Sequence, residues 1–136
     1  MAVNPYFMFE KEAGEAAELY ETAFQTQPAE LMTYGEVPGG EYEDSPDKEL
    51  IIHGKINVGG TEIMFSDGGG QSDIVKGNNI TVAVTDKRLG YITHAYDVLR
   101  DRGQVEMELQ ETFFAKGHAM LTDEFGIKWQ LSCPNT

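Results

Sequence analysis

The spacing of apolar residues divides the chain into two similar halves. Residues 3–9, Val-Asn-Pro-Tyr-Phe-Met-Phe, form an aromatic-rich run of strand character, with Pro5 near its start where a missing amide is tolerated. Over residues 11–25 the period becomes helical. Ala16, Leu19, Tyr20, Ala23 and Phe24 line one stripe, while Glu12, Glu15, Glu18 and Glu21 take the other faces. Pro28 lies beyond the helix end, where no helix can continue. Residues 30–37 read as a strand and 38–48 as an acidic loop. Residues 49–58 and 61–66 read as two strands joined by Gly59-Gly60, a pair suited to the positive φ of a tight hairpin.

The same order then returns. Residues 79–85 alternate as a strand, and Asp86 is the expected N-cap of a second helix. Leu89, Ile92, Tyr96 and Leu99 form that helix's apolar stripe, and Gly103 is its expected C-terminal cap. Strands follow at about 104–111, 117–122 and 127–132. Gly60-Thr-Glu-Ile-Met-Phe-Ser66 can be laid on Gly126-Ile-Lys-Trp-Gln-Leu-Ser132, and His53 and His118 precede these glycines by seven and eight positions. The pattern predicts an α+β fold: one domain over 1–136, with a βαβββ module at 1–67, a linker at 68–78 and a second βαβββ module at 79–136. Each helix would cover one sheet face and leave the other concave and open, together a cup for a ligand.

Charge narrows the partners. Acidic residues number 23 against 10 basic ones, a net charge of −13, which repels nucleic-acid phosphates and anionic membrane surfaces. The N-terminus lacks the basic and apolar regions of a signal peptide, and no apolar run approaches the ~20 residues that span a bilayer. Cys133 is the single cysteine, so no internal disulfide forms and a cytoplasmic, reducing setting is expected. A methyl-donor site calls for a Gly-rich strand-to-helix turn; Asp67-Gly-Gly-Gly-Gln-Ser72, with no helical pattern after it, reads as a hinge.

Three segments carry a family resemblance. Pro5-Tyr-Phe-Met-Phe9 with Ala17-Glu-Leu-Tyr-Glu-Thr-Ala-Phe24, the hairpin His53 to Asp67, and Gln110-Glu-Thr-Phe-Phe-Ala115 with Met120 to Leu131 resemble the PhnB-like subgroup of the glyoxalase/bleomycin resistance/dioxygenase, or vicinal oxygen chelate, superfamily. The resemblance implies paired βαβββ modules in a curved mixed-sheet cup, a homodimer, and in many members a divalent metal that polarises vicinal substrate oxygens. Carried over residue by residue, the ligand positions fall on Pro5, Met64, Asn79 and Gln130. Proline brings no side-chain donor, methionine a soft thioether, and the amides neutral oxygens, a set that holds a divalent ion poorly. No metal and no cofactor are therefore expected.

Strand parity, counted from Pro5, places Phe7 and Phe9 on the open side, with Ile63, Phe65, Ile80, Val82, Val84, Trp129 and Leu131 packed inward. The expected ligand-binding residues are Phe7, His53, Met64, Asn79, Phe114, His118 and Gln130. Two readings of function stand at this point. One is a metal-free binder of a small, partly apolar organic molecule; the other is a divalent-metal-dependent lyase, isomerase or dioxygenase whose ligands lie elsewhere, with His53 or Glu62 among the candidates. A third class, an interaction module with a vestigial cup, is separated from the binder by a thermal-shift screen of metabolites.

Overall fold

The computed structural model describes residues 1–68 and 73–135. Its elements run β1 (Tyr6–Phe9), α1 (Ala13–Phe24), β2 (Glu30–Thr33), a 3-10 turn (Tyr34–Glu36), β3 (Ile51–Val58), β4 (Thr61–Asp67), β5 (Val82–Thr85), α2 (Leu89–Leu99), β6 (Gln104–Gln110), β7 (Ala115–Thr122) and β8 (Lys128–Pro134). This is an α+β fold with two four-stranded mixed sheets, ordered β1-β4-β3-β2 and β5-β8-β7-β6. In each sheet the first and last strands of a half pair in parallel and the rest are antiparallel. The chain separates into two compact units: residues 1–21 with 26–75, and residues 22–25 with 76–136. The predicted linker falls partly on residues 69–72, outside the described residues.

In the first unit α1 buries Ala13, Ala16, Ala17 and Tyr20. They face Phe7, Phe9, Ile56, Ile63 and Phe65, apolar side chains that alternate along β1, β3 and β4. Phe7 meets Tyr20 edge-on at 6.0 Å. Gly54 has no side chain because the Phe65 ring occupies the space a Cβ would need. Asp67, 2% exposed, ends β4 and ties the unit together. Its carboxylate accepts from the Ala13 amide at 2.9 Å, at the start of α1, and from the Ile51 amide at 3.0 Å, at the start of β3. The Tyr34 hydroxyl donates to its carbonyl at 2.8 Å. Burial raises the Asp67 carboxyl above the usual carboxylate range, against the lowering effect of those two amides.

In the second unit Ile92, Ala95, Tyr96 and Leu99 of α2 are buried, as are Trp129, Leu131, Cys133, Ala119 and Leu121 of the sheet. The last turn of α1 belongs here: Phe24 packs on Trp129 at 5.1 Å, and the Tyr91 hydroxyl donates to the Phe24 carbonyl at 2.8 Å. Asp123 plays the local organiser. Its carboxylate accepts from the Phe125 and Ile127 amides, at 2.9 and 3.1 Å, and from the Trp129 indole at 2.9 Å.

Several expectations are corrected. β5 starts at Val82 rather than 79, and Ile80, expected inside, is 79% exposed. Asp86 does not cap α2. Its carboxylate accepts from the Arg88 amide at 2.8 Å and pairs with the Arg88 guanidinium at 2.9 Å. After α2 the left-handed conformation falls on Arg102, φ 59°, not on Gly103. Gly103 serves a close approach, since a Cβ there would lie 2.5 Å from the Thr122 carbonyl oxygen.

Candidate functional site

Because the helices cover one face of each sheet, the chemistry lies on the other. In the first sheet the register pairs Tyr6 with Met64, Met64 with Lys55, Met8 with Ser66, and Met32 with His53. Residues paired across strands share a face, so this uncovered face carries Tyr6, Met8, Met32, His53, Lys55 and Met64. Tyr6, Met8 and Met32 are 44%, 53% and 46% exposed, which distinguishes them from the buried Phe7 and Phe9 between them in parity. The Tyr6 and His53 rings lie 6.1 Å apart. Lys55 crosses the face between Glu30 at 3.5 Å and Glu62 at 3.7 Å, exposed pairs worth about 0–1 kcal/mol each.

Phe7, expected on this face, is a core residue. It sits opposite Phe65 in the parallel ladder, and Phe65 faces α1, so Phe7 does too. Counting parity from Pro5 displaced β1 by one residue. The sequence held the signal: Phe7 and Phe9 alternate with Tyr6 and Met8, and the wholly apolar pair goes inward. Tyr6 is the residue that the expected set omitted.

The second sheet repeats the layout with different groups. Gln130 pairs with Ala83 on β5 and Met120 on β7, and its amide nitrogen donates to the Thr81 hydroxyl at 2.8 Å. His118 pairs with Ser132 on one side and Gln110 on the other, and Ser132 pairs with Thr85. A polar row, Gln110–His118–Ser132–Thr85, thus crosses the uncovered face. Phe114 leans on His118 edge-on at 5.0 Å, and Phe113 on Phe114 at 5.1 Å. His118 is only 8% exposed, and its Nδ1 has no hydrogen-bond partner. Asn79 is exposed and precedes β5; Thr81, not Asn79, reaches Gln130. Lys128, Glu106 and Thr122 form a separate polar knot, with the Lys128 ammonium 2.8 Å from the Thr122 hydroxyl and 3.3 Å from Glu106.

The two histidines are register equivalents. Lys55 faces Met64 as Met120 faces Gln130, and His53 and His118 stand two residues before Lys55 and Met120. The unequal spacings of seven and eight residues are absorbed in turns of different length, Gly59-Gly60 in one and Asp123 to Ile127 in the other.

The metal positions can now be tested on their neighbours. Met64 stands across from Tyr6, and Gln130 across from Ala83 with Thr81 on its amide. A thioether, a phenol, an amide and a hydroxyl supply neither anionic carboxylate nor imidazole to a divalent ion. The residues at these places do not fit the metal site of the metal-using relatives. Among the described residues no group of three or more His, Cys, Asp or Glu is gathered to hold a metal ion.

Residues 1–132 match the family described as 3-demethylubiquinone-9 3-methyltransferase. The chain belongs to that family. It is a PhnB-like member with the vicinal oxygen chelate fold. The protein YjdN of Escherichia coli (strain K12) is 26% identical over 97% of this chain and 95% of its own length. The structure of PA1353 from Pseudomonas aeruginosa superposes with a TM-score of 0.86 at 24% identity, covering 98% of each chain. A putative 3-demethylubiquinone-9 3-methyltransferase, PhnB protein, from Bacillus cereus gives 0.73 at 23%, covering 97% of this chain and 98% of its own. The fold extends to a fosfomycin resistance protein, FosX, of Listeria monocytogenes, with a TM-score of 0.63 at 7% identity over 99% of this chain and 91% of that one. No helix among the described residues is long and apolar enough to cross a membrane.

Proposed function

We propose that this PhnB-like protein binds a small, partly apolar organic molecule on the uncovered faces of its sheets, without a divalent metal at the family's ligand positions. The observation that carries this reading is the pair Met64 and Gln130, matched in register on uncovered faces and both poor donors to a hard cation. Around them stand groups suited to organic ligands: Tyr6, Met8 and His53 on one sheet, and His118, Ser132 and Phe114 on the other. Methionine adapts its shape to apolar surfaces at little cost. A neighbour in fold, FosX, is a fosfomycin resistance protein by name and is also known in complex with Mn(II) and a small phosphonic acid, so it supports a small-molecule role for the fold and not the absence of metal.

The methyltransferase reading carried by the family's description has less support. After β4 the described residues 73–81 contain no helix, so the glycine-rich run that follows Asp67 does not lead into the helix a methyl-donor turn calls for. Homodimerisation in the cytoplasm belongs to the proposal as well; sedimentation showing a 15.1 kDa species alone at micromolar concentration refutes the dimer.

The test is metal analysis of protein purified under metal-replete conditions, together with a thermal-shift screen of metabolites and glycopeptide drugs. No ion at unit stoichiometry and a raised melting temperature with at least one organic compound is the expected result. A tightly held ion at unit stoichiometry overturns it in favour of a metal-dependent enzyme.

A further inference from the structure

The first sheet sets soft donors around a short residue. β4 lies between β1 and β3, and its Ser66 pairs with Met8 of β1. One residue beyond the Gly54–Phe65 pair, His53 of β3 comes level with Ser66 on its other side. Met64 stands two residues before Ser66 on the same uncovered face, a diagonal neighbour of both Met8 and His53. Such diagonals lie within reach of long side chains. Neighbouring strands stand about 4.8 Å apart, so Tyr6 and His53, with β4 between them, begin roughly 10 Å or more apart at the backbone. Their rings nevertheless come to 6.1 Å. The two rings therefore converge over β4, on the Met64 side of His53 and away from Met32 on β2. Below them Met64 is half-buried and Ser66 is buried, while His53 and Met8 stay open to solvent.

We infer that this face holds a soft monovalent metal ion, Cu(I) by chemical class, between the thioethers of Met8 and Met64 and the imidazole of His53. The donors point there. Two polarizable sulfurs and one ring nitrogen suit Cu(I) and suit hard divalent ions poorly. The net charge of −13 favours a cation. Lys55, two residues after His53 on the same face, is drawn between Glu30 at 3.5 Å and Glu62 at 3.7 Å, so two carboxylates offset its ammonium. The exposure of Met8 and His53 gives the ion an entry from solvent. In the second sheet the places of Met8 and Met64 are taken by Thr85 and Gln130, which offer neutral oxygens and no sulfur. The inference goes beyond the organic-ligand reading and does not rest on it. Purification in air does not retain such an ion, because oxidation to Cu(II) gives a form that thioethers hold poorly. The metal analysis above and the titration below therefore report on different sites.

The experiment titrates the full chain, its methionine methyl groups labelled for NMR, with silver nitrate in chloride-free buffer. Silver is the redox-inert stand-in for Cu(I). Both the natural protein and Cys133→Ala are used, the variant removing the one thiol that could compete. The Met8 and Met64 methyls and the His53 ring are expected to shift together and saturate at one equivalent. Exposed Met1 and Met32 stay in place until silver is in excess. Met8→Leu and Met64→Leu keep the apolar volume, and each weakens silver binding at least about tenfold, whereas Met32→Leu leaves it unchanged. Zinc at the same concentrations leaves the methyls unmoved. Met1 responding at the same silver concentration as Met8 and Met64 shows adventitious thioether binding only and overturns the inference. Shifts centred on Met32 in place of Met64 overturn the donor set, and zinc moving the methyls as far as silver overturns its softness. No shift with silver overturns the inference outright and leaves the organic-ligand reading to its own screen.

Discussion

Asp67 offers the sharpest test of how the first unit is held. Replacing it with alanine leaves the Ala13 and Ile51 amides without their acceptor in a buried setting. Each orphaned amide costs about 1–3 kcal/mol, and the lost carboxylate also leaves the start of α1 without its complementary charge. Against this stands relief from burying a carboxylate, which the raised Asp67 pKa reports. The net expectation is a loss of about 2–4 kcal/mol, with Asp67→Asn losing about half as much because one acceptor oxygen remains. Urea denaturation followed by circular dichroism measures both. The pH dependence adds a sign. The folded state holds the proton more tightly than the unfolded chain, so this group's titration contributes stability that is full below the usual carboxylate range and is lost as pH rises through the folded-state value. The stability gap between the natural protein and Asp67→Asn should therefore be wider at pH 4 than at pH 7. A gap that widens with rising pH would show that the two amides outweigh burial, and a loss under ~1 kcal/mol for Asp67→Ala would show that neither amide depends on the carboxylate.

Other substitutions probe the faces and the turns. Phe7→Ala should cost about 3–5 kcal/mol in denaturant unfolding, as a core aromatic does, while Tyr6→Ala costs under ~1 kcal/mol; equal costs would place β1 in the other parity. Gly54→Ala drives a methyl into the Phe65 ring and should lose about 1–3 kcal/mol, read from the melting curve, whereas Gly59→Ser at the exposed hairpin leaves the core packing untouched. Hydrogen bonds from Arg88 hold the Asp86 carboxyl down to about 2, so its small contribution is present above the usual range near pH 4 and lost as pH falls through about 2. Asp86→Asn should flatten that part of the acid unfolding curve, with a loss of under ~1 kcal/mol above pH 5, as for an exposed pair, and none below about pH 2. Cys133 is fully buried, with its thiol 3.4 Å from the Lys87 carbonyl, so a thiol reagent should modify it no faster than the protein unfolds; rapid modification in native buffer would refute that burial.

The order of elements was legible because it rests on local periods. A repeat of two marks the strands, a repeat near 3.6 marks the helices, and paired glycines mark the hairpin, all within short stretches of chain. The errors occurred where a residue's partner is distant. Ile80 reads as a buried strand residue by its side chain, yet nothing packs on it. Asp86 reads as a cap by position, but the guanidinium two residues on takes its carboxylate. Gly103 reads as the left-handed residue, while its actual use is contact with the Thr122 backbone across the hairpin. The role of Asp67 could not be read at all, since its carboxylate bonds an amide 54 residues away. The site was legible in part. Met64 and Gln130 followed from the repeat, whereas the polar row through Thr85 needed the parallel register of β5 on β8.

The comparison of the two halves separates folding from recognition. Where the matched strands face a helix, both keep large apolar groups: Ile63 and Phe65 in one, Trp129 and Leu131 in the other. Any polar group there would lose its water without a partner, so packing alone fixes the character of these positions. On the uncovered faces packing imposes no such demand. Yet Tyr6 and Met64 stand where the second half has Ala83 and Gln130, and Met8 stands where it has Thr85. Solubility alone would favour charged side chains at such places, and this chain has acidic residues in excess. Each face does carry charged groups, Lys55 with Glu30 and Glu62 on one and Lys128 with Glu106 on the other, but beside them one face sets thioethers and a phenol, and the other sets amides, hydroxyls and an imidazole with a buried, unsatisfied nitrogen. Core packing therefore fixes what the two halves share, and the uncovered faces are where the halves have diverged.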